Sequence, residues 1–255
     1  MPFRSKEQSC KGHKAAVLIG INYSGTDAAL QGCENDVGRL NEHLTTRYGF
    51  EDITVLTEQS SILPTKENIL RSLRQLADKT HSGVDHAFIH YSGHGTSVPD
   101  DNGEEDDGMD EAWFTLDQKI LRDDDIRSIL NTFSPWCDVV IVVDACHSGT
   151  GVDLPLKYVG NAGFVEIENN TAPLCNAIML SGCRDTQTSA DAFVDGKFGG
   201  AMTDAFLKCH VRSRNIFDLM HNMHDYMRAR GHTQRPQLSS SRPLKPDDHL
   251  SQWLR

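Results

Sequence analysis

Short apolar runs alternate with longer segments of helical period along most of the chain. The runs are mostly apolar and rich in β-branched residues, as in strands buried on both faces of a parallel sheet. The pattern therefore predicts an α/β fold, with βα units around a mostly parallel sheet. The predicted strands are residues 15–21, 53–56, 86–91, 138–143 and 177–181. The predicted helices are residues 33–48, 66–77 with Thr65 as N-cap, 124–132, and a Met-rich stripe from Ile216 to Met227 that stops at Gly231.

Three segments break this regular alternation. Residues 99–111 are acidic and contain glycine, residues 149–173 have no clear period, and residues 190–200 contain several glycines. Loops this long inside a compact domain are more often functional than idle, so we expect some of them to border a functional site.

Two predicted strands run into reactive side chains. The letters SGHGT, with His94, follow strand 86–91, and the letters DACHSG, with Cys146, follow strand 138–143. Ligands bind at the carboxyl ends of parallel strands, so neighbouring strands would bring the imidazole and the thiol together. Such a pair can perform acyl transfer, with the backbone N–H groups of Cys146 and Gly95 holding the oxyanion.

Each of these signals has a simpler interpretation. A lone cysteine after an apolar strand is more often a buried structural thiol. A zinc site built from His94, Cys146 and His147 lacks the ligand spacing of a recognised structural site. The conjunction of two strand-end motifs favours a catalytic pair, and His147 is then expected to pack or hydrogen-bond locally.

Composition restricts the class of protein. The 255 residues carry a net charge of −11 and seven cysteines without a CxxC pair, which favours one domain with reduced thiols and disfavours nucleic acid as a partner. No run approaches 18 apolar residues, and the first residues lack the apolar stretch of a signal peptide. We therefore expect a cytoplasmic protein without a membrane partner.

The motif HYSGHGT together with DACHSG resembles the signature pair of caspase-like peptidases, and of metacaspases in particular. Residues 20–37, 122–126, 153–160 and 180–191 are also similar to metacaspase segments, in the same order. The resemblance implies a caspase-like three-layer α/β sandwich with helices on both faces of the sheet. It also implies a monomeric cysteine endopeptidase with a His94 and Cys146 dyad, dependent on calcium and cleaving after Arg or Lys.

The resemblance also implies a division of the chain. The short connection between the halves is similar to the type I arrangement. A short extension, residues 1–14, precedes a single peptidase domain, residues 15–255. The expected parts of that domain are a large-subunit-like region 15–160, a connecting loop 161–175 and a small-subunit-like region 176–255.

By the same resemblance, Cys33, Asp36, Ser92 and Asp144 line the pocket that receives the basic side chain of the substrate. Carboxylates suit that role, because a confined cation needs charged partners in place of solvent. The simpler interpretation is that Asp36 caps the helix nearby and that backbone donors hold Asp144.

The calcium expectation concerns an acidic stretch. Residues 100–111 hold eight carboxylates, and three aspartates follow from Asp123. Composition alone favours a solvated loop. The resemblance instead places the calcium ligands at Asp110, Asp123, Asp124 and Asp153, a set of oxygens that suits this hard cation.

Two further expectations concern processing and an alternative function. If the enzyme cuts itself, Lys197 is the first candidate site, since it is basic, lies beside glycine and falls in a predicted loop; Lys157 is the second. The alternative to an enzyme is a catalytically silent adaptor that binds partners through the same groove. A silent homologue needs neither member of the pair, so the presence of both His94 and Cys146 favours the peptidase.

Overall fold

A computed structural model describes residues 12–99, 109–145, 152, 154–160, 163–166, 172–182, 191–194 and 197–254. Its helices are α1 (Cys33–His43), α2 (Lys66–His81), α3 (Asp123–Leu130), α4 (Ala201–Cys209), α5 (Ile216–Ala229) and α6 (Leu250–Leu254). Its strands are β1 (His13–Gly20), β2 (Asp52–Leu56), β3 (Val84–Ser92), β4 (Gly95–Pro99), β5 (Met109–Phe114), β6 (Ile120–Arg122), β7 (Asp138–Asp144), β8 (Leu156–Tyr158), β9 (Phe164–Glu166), β10 (Asn176–Ser181), β11 (Asp191–Val194), β12 (Lys197–Gly200) and β13 (Gln237–Ser240).

The main sheet has eight strands in the order β2-β1-β3-β7-β10-β13-β8-β9. The five strands predicted from the apolar runs are its parallel part, from β2 to β10. The remaining three strands pair antiparallel. The mostly parallel α/β fold expected from the sequence is therefore confirmed.

Helices cover both faces of the sheet, which is why its strands are apolar at successive positions. On β1, Val17 and Ile19 pack in the core under α2 and α3, whereas Ala16 and Leu18 pack in the core under α1, α4 and α5. Alternate residues of β7 divide in the same way. Among the described residues, no helix is long and apolar enough to cross a bilayer.

The predicted helices are present, with changes at their ends. Thr65 caps α2 by accepting a hydrogen bond from the Asn68 N–H, and α3 begins one residue earlier than predicted. The helix predicted over residues 33–48 changes after His43 into a π-helical turn, Leu44–Tyr48, which ends at Gly49 with φ of 69°. A left-handed glycine there ends the helix at little steric cost.

Helix α4 and strand β13 were not predicted from the sequence. Helix α4 belongs to the helices on one face of the main sheet, and β13 belongs to the main sheet itself. Helix α4 is buried at seven of its nine positions, so it lacks the polar face that marks a helix in a sequence. Strand β13 has the letters QLSS and pairs between β10 and β8, where hydrogen bonding to both neighbours compensates for its polar composition.

Parts of the three predicted loops are strands. The ends of the acidic segment lie in β4 and β5, which pair with β6 in a small antiparallel sheet. Strands β8 and β9 pair within residues 149–173, so β9 lies in the segment expected to be the connecting loop. Residues 190–200 were predicted as a loop, and this prediction was wrong for β11 and β12, which pair antiparallel. The intervening letters Asp-Gly are a hairpin signal in the sequence that the loop prediction did not use.

Candidate active site

The pairing of β3 with β7 brings the two motif-bearing strand ends together. These strands are parallel neighbours, with Ser92 opposite Asp144, and the Gly93 N–H donates to the Asp144 carbonyl over 3.3 Å. His94 and Cys146 each follow two residues after that matched pair. Cys146 lies outside the described residues, but the register confirms that the two strand ends are adjacent.

Two buried tyrosines fix the backbone of His94. The Tyr23 hydroxyl accepts from the His94 N–H over 3.0 Å and donates to the Phe114 carbonyl over 2.6 Å, while the Tyr91 hydroxyl donates to the His94 carbonyl over 2.7 Å. Burial raises the pKa of both phenols above its ordinary value, so both remain neutral donors. A side chain at Gly93 would lie 2.7 Å from the Tyr91 hydroxyl, and only glycine leaves room for this arrangement.

The His94 ring is held in one orientation. Its Nε2 lies 2.7 Å from the Ala28 carbonyl, and its face lies against the Tyr23 ring with 4.7 Å between centroids. A carbonyl only accepts, so Nε2 carries the proton and Nδ1 of the neutral ring keeps its lone pair. This tautomer leaves Nδ1 as the atom that can take a proton from a neighbouring thiol.

The Gly95 N–H is available at the same strand end. Phe114 donates its N–H to the His94 carbonyl over 3.0 Å, which makes Gly95 and Trp113 a non-hydrogen-bonded pair of the β4–β5 ladder. The Gly95 N–H consequently points away from β5. This direction suits the oxyanion donor predicted at Gly95.

Three of the four predicted pocket residues converge on the start of α4. The Asp36 carboxylate accepts from the Ser92 hydroxyl over 3.1 Å and from the Gly200 N–H over 2.8 Å. The Asp144 carboxylate accepts from the Thr203 N–H over 2.7 Å, within the first turn of α4. Asp36 therefore does not cap its own helix, whereas Asp144 does bind a backbone donor, as the simpler interpretation proposed.

The two carboxylates form a buried acidic pair. Asp36 is fully buried and Asp144 is 2% exposed. Burial raises the pKa of Asp36 well above its usual range, and the charge of Asp144 adds to the shift. The Arg39 guanidinium lies 3.9 Å from Asp36 and 2.5 Å from Asp204. Asp36 thus shares the Arg39 guanidinium with Asp204.

Comparison with known proteins identifies the family. The model of the family described as metacaspase, peptidase C14 domain, matches residues 14–155, which contain both strand-end motifs. The chain belongs to the metacaspase family of cysteine peptidases. It is similar to Metacaspase-1B of Aspergillus oryzae, with 33% identity over 95% of this chain and 71% of the relative. It is also similar to Metacaspase-1 of Yarrowia lipolytica, with 36% identity over 92% of this chain and 63% of the relative.

Solved structures confirm the caspase-like fold of this metacaspase. A crystal structure of a Geobacter sulfurreducens protein matches with a TM-score of 0.66 and 22% identity, over 95% of this chain and 97% of the other. Caspase-1 of Spodoptera frugiperda matches with a TM-score of 0.60 and 15% identity, over 94% of this chain and 92% of the other. At these identities the likeness concerns the fold alone.

Three of the four predicted calcium ligands of the metacaspase, Asp110, Asp123 and Asp124, lie around the start of α3. Burial raises the pKa of Asp123 to about 8, and the charges of Glu111 and Asp110 add to the shift. Asp123 accepts from the N–H groups of Glu111 and Asp124, and Asp110 pairs with Arg122 over 2.9 Å. Among the described residues, no group of three or more His, Cys, Asp or Glu has the arrangement of a metal site. The described part is a pair of buried aspartates, Asp110 and Asp123, next to Glu111.

The other predicted residues have mixed positions. Cys33 begins α1, is 3% exposed, and donates its N–H to the Asn22 side chain over 3.0 Å, so it is a buried neighbour of Asp36 on the helix. Asp153, predicted as a calcium ligand, lies outside the described residues.

The backbone of Lys197 begins β12, and Lys157 lies in β8 with paired strands on both sides. Backbone paired on both sides is a poor protease substrate, so the fold favours Lys197 over Lys157.

Four groups that shape the site were not predicted from the sequence. Tyr23 and Tyr91 could have been predicted, because a tyrosine near a motif can bury its ring and use its hydroxyl as a hydrogen-bond partner. The Ala28 carbonyl carries no side-chain signal at all. Gly200 was noted as one of several glycines, but its contact with two distant aspartates depends on tertiary structure.

We predict that Gly200→Ala destabilises the protein, because the added Cβ would lie 2.1 Å from the Asp144 carboxylate and 2.8 Å from that of Asp36. We expect a loss of about 1 to 3 kcal/mol in the free energy of unfolding, measured by urea denaturation. Gly38→Ala on α1 is the matched control, since a Cβ there meets nothing within 4 Å. Alanine at this helical site should be neutral or add up to about 1 kcal/mol. Equal stability of the two variants would contradict the close approach at Gly200.

Proposed function

We propose that this metacaspase is a calcium-dependent endopeptidase that cleaves after Arg or Lys, with Cys146 as nucleophile and His94 as acid and base. The observation that carries the proposal is the buried pair of Asp36 and Asp144 beside the strand end that bears His94. Two carboxylates are costly to bury side by side, because both lose solvent and their charges repel each other. An incoming guanidinium or ammonium group would bring a positive charge next to both carboxylates.

The same pair would exclude acidic substrates. A third carboxylate beside Asp36 and Asp144 would be buried without a cation, at a cost of several kcal/mol. Since Gly199 and Gly200 cover the pair in this structure, the substrate side chain must displace this segment to reach it. The preference for a basic residue is then decided by charge in a confined site.

The chemistry follows from the fixed ring of His94. With Nε2–H bound to the Ala28 carbonyl, Nδ1 takes the thiol proton of Cys146, and the thiolate attacks the scissile carbonyl. The Gly95 and Cys146 N–H groups stabilise the oxyanion, and the imidazolium then protonates the departing amine. Water hydrolyses the resulting thioester by the same route. Self-cleavage, if it occurs, would use Lys197 and would be dispensable for activity.

We predict that peptides with Arg or Lys before the scissile bond are hydrolysed and that matched peptides with Asp there are not. Positional scanning of fluorogenic peptides in calcium measures this directly. Asp36→Asn should lower kcat/KM on Arg peptides by about tenfold or more, the loss that follows when one buried charge partner is removed.

Cys146→Ala and His94→Ala serve as controls and should each leave no hydrolysis, with unchanged thermal unfolding. Stoichiometric labelling of Cys146 by an arginine peptide ketone separates the peptidase from a silent adaptor, which would not be labelled. Efficient cleavage after Asp, or activity in Cys146→Ala, would overturn the proposal.

The calcium part of the proposal rests on the acidic cluster at the start of α3. Asp110 and Asp123 lie near each other with Glu111, and Arg122 pairs with Asp110 over 2.9 Å. Asp124 and Asp153 would complete the ligand set implied by the family. When bound, calcium would supply positive charge to this cluster. Asp110 and Glu111 of the cluster lie on β5, which pairs with β4, the strand that follows His94.

We predict that the protein in excess chelator stays folded but inactive and regains activity with calcium, whereas magnesium restores it poorly because of its stricter octahedral geometry. Asp123→Asn should raise the calcium concentration needed for half activity by about tenfold or more. Asparagine removes the charge of one ligand but keeps a side-chain oxygen that can accept from backbone N–H groups. Activity assays over a calcium titration measure both effects.

Asp125→Asn is the matched control for the calcium titration. Asp125 lies on the same helix, pairs with Lys66 over 2.7 Å, and is not in the proposed ligand set. Its calcium dependence should match that of the unmodified protein. Full activity in chelator, or equal shifts in both variants, would refute the calcium site while leaving the peptidase proposal intact.

A further inference from the structure

A basic cleft lies at the end of the molecule opposite His94. One cavity of about 340 Å³ is bordered by the end of the π-helical turn, the α4–α5 connection and the start of α6. An adjoining cavity of about 330 Å³ shares Arg47, Tyr48 and Ser251 with it and adds Lys14. We call the two cavities together the basal cleft. Its basic residues are Lys14, Arg47, His210, Arg214 and His249.

The charge of the basal cleft is opposite to that of the whole protein. The chain carries a net charge of −11, yet no Asp or Glu is among the described residues that line the cleft. Arg47 is exposed and makes no ion pair with any described residue. Because salt screens surface charges beyond about 8 to 10 Å, the local lining decides which ion is attracted.

Two more cations can reach an ion in the cleft. The Lys14 ammonium donates one hydrogen bond to the Tyr48 carbonyl over 2.5 Å and keeps two further N–H donors. Arg214 pairs with Asp218 over 3.3 Å through one nitrogen, and its side chain is 85% exposed. Its other guanidinium nitrogens can turn toward a ligand.

A histidine pair forms the inner wall. His210 Nδ1 lies 2.8 Å from the Phe206 carbonyl, so it carries the proton, and His210 Nε2 accepts from His43 Nε2 over 2.8 Å. This arrangement is neutral and occupies both ring nitrogens of His210. The wall therefore shapes the cleft, while Lys14, Arg47, Arg214 and the exposed His249 provide donors.

The cleft is separate from the active site. Lys14 lies at the amino end of β1, whereas Gly20 at its carboxyl end pairs with Ser92, next to His94. Six residues of strand at about 3.3 Å each place the two ends roughly 20 Å apart. A ligand in the basal cleft would not contact the substrate groove.

We propose that the basal cleft binds a small anion with two or more linked phosphate groups. Several cations around a cavity of this size match a compact, multiply charged ion, and the exposed guanidinium of Arg47 can bind phosphate oxygens in bidentate geometry. A long nucleic acid would instead meet the negative surface of the rest of the protein. The ligand class is therefore an inorganic polyphosphate or the phosphate chain of a nucleotide.

Isothermal titration with inorganic tripolyphosphate in calcium-free buffer tests the proposal, with ATP as a second probe that separates the two sources. We expect saturable binding that weakens as salt rises, and a loss of about tenfold or more in affinity in Arg47→Gln and in Lys14→Gln, as for removal of one charge-assisted hydrogen bond. Tighter binding of ATP would indicate a nucleotide, and equal or weaker binding a free polyphosphate.

Arg74→Gln is the matched control, because Arg74 is an exposed arginine on α2, outside the cleft. Its affinity for tripolyphosphate should stay within about twofold of the unmodified protein. The proposal would be overturned if tripolyphosphate did not bind, or if Arg47→Gln and Arg74→Gln lost affinity equally. Tighter binding of a penta-glutamate peptide than of tripolyphosphate would also overturn it. Unchanged thermal unfolding of Arg47→Gln confirms that the lost binding is local.

Discussion

The burial of Asp36 and Asp144 side by side constrains the rest of this site. Their carboxylates accept from the first residues around α4, at Gly200 and Thr203, and so join α1, β7 and α4 at one point. Burial of two like charges is unfavourable unless hydrogen bonds or a cation compensate it. That requirement accounts for three features of the site: the glycine at position 200, the hydrogen bond from the Ser92 hydroxyl and the nearby guanidinium of Arg39.

The same strand ends that carry this pair also carry the chemistry. One step beyond Ser92 and Asp144, the chain leaves the sheet, and Tyr23 and Tyr91 hold the backbone of His94 by direct hydrogen bonds. The imidazole then needs no carboxylate partner to fix its tautomer, since the Ala28 carbonyl does so. The acidic pair and the oriented imidazole therefore lie close together at the carboxyl ends of β3 and β7.

The sequence predicted the parallel part of the sheet because apolar strands such as β1 and β7 are buried on both faces and carry a continuous signal. It also placed His94 correctly at a strand end next to the one that bears Cys146. It could not predict α4, which lacks a polar face, or β13, whose polar letters are stabilised only by neighbouring strands. The convergence of Asp36 and Asp144 on Gly200 joins residues more than 50 positions apart and has no local signal.

Proton release on ligand binding tests the central claim most directly. Burial and the charge of Asp144 raise the pKa of Asp36 in the free protein, and a bound guanidinium should lower it again, so that binding releases protons at pH values between the two pKa values. Calorimetric binding of an arginine peptide to Cys146→Ala, in buffers of different ionisation enthalpy, counts the protons released. The account predicts release of up to about one proton for arginine, and none for a neutral citrulline peptide or for arginine with Asp36→Asn added. Arginine binding without proton release would contradict it.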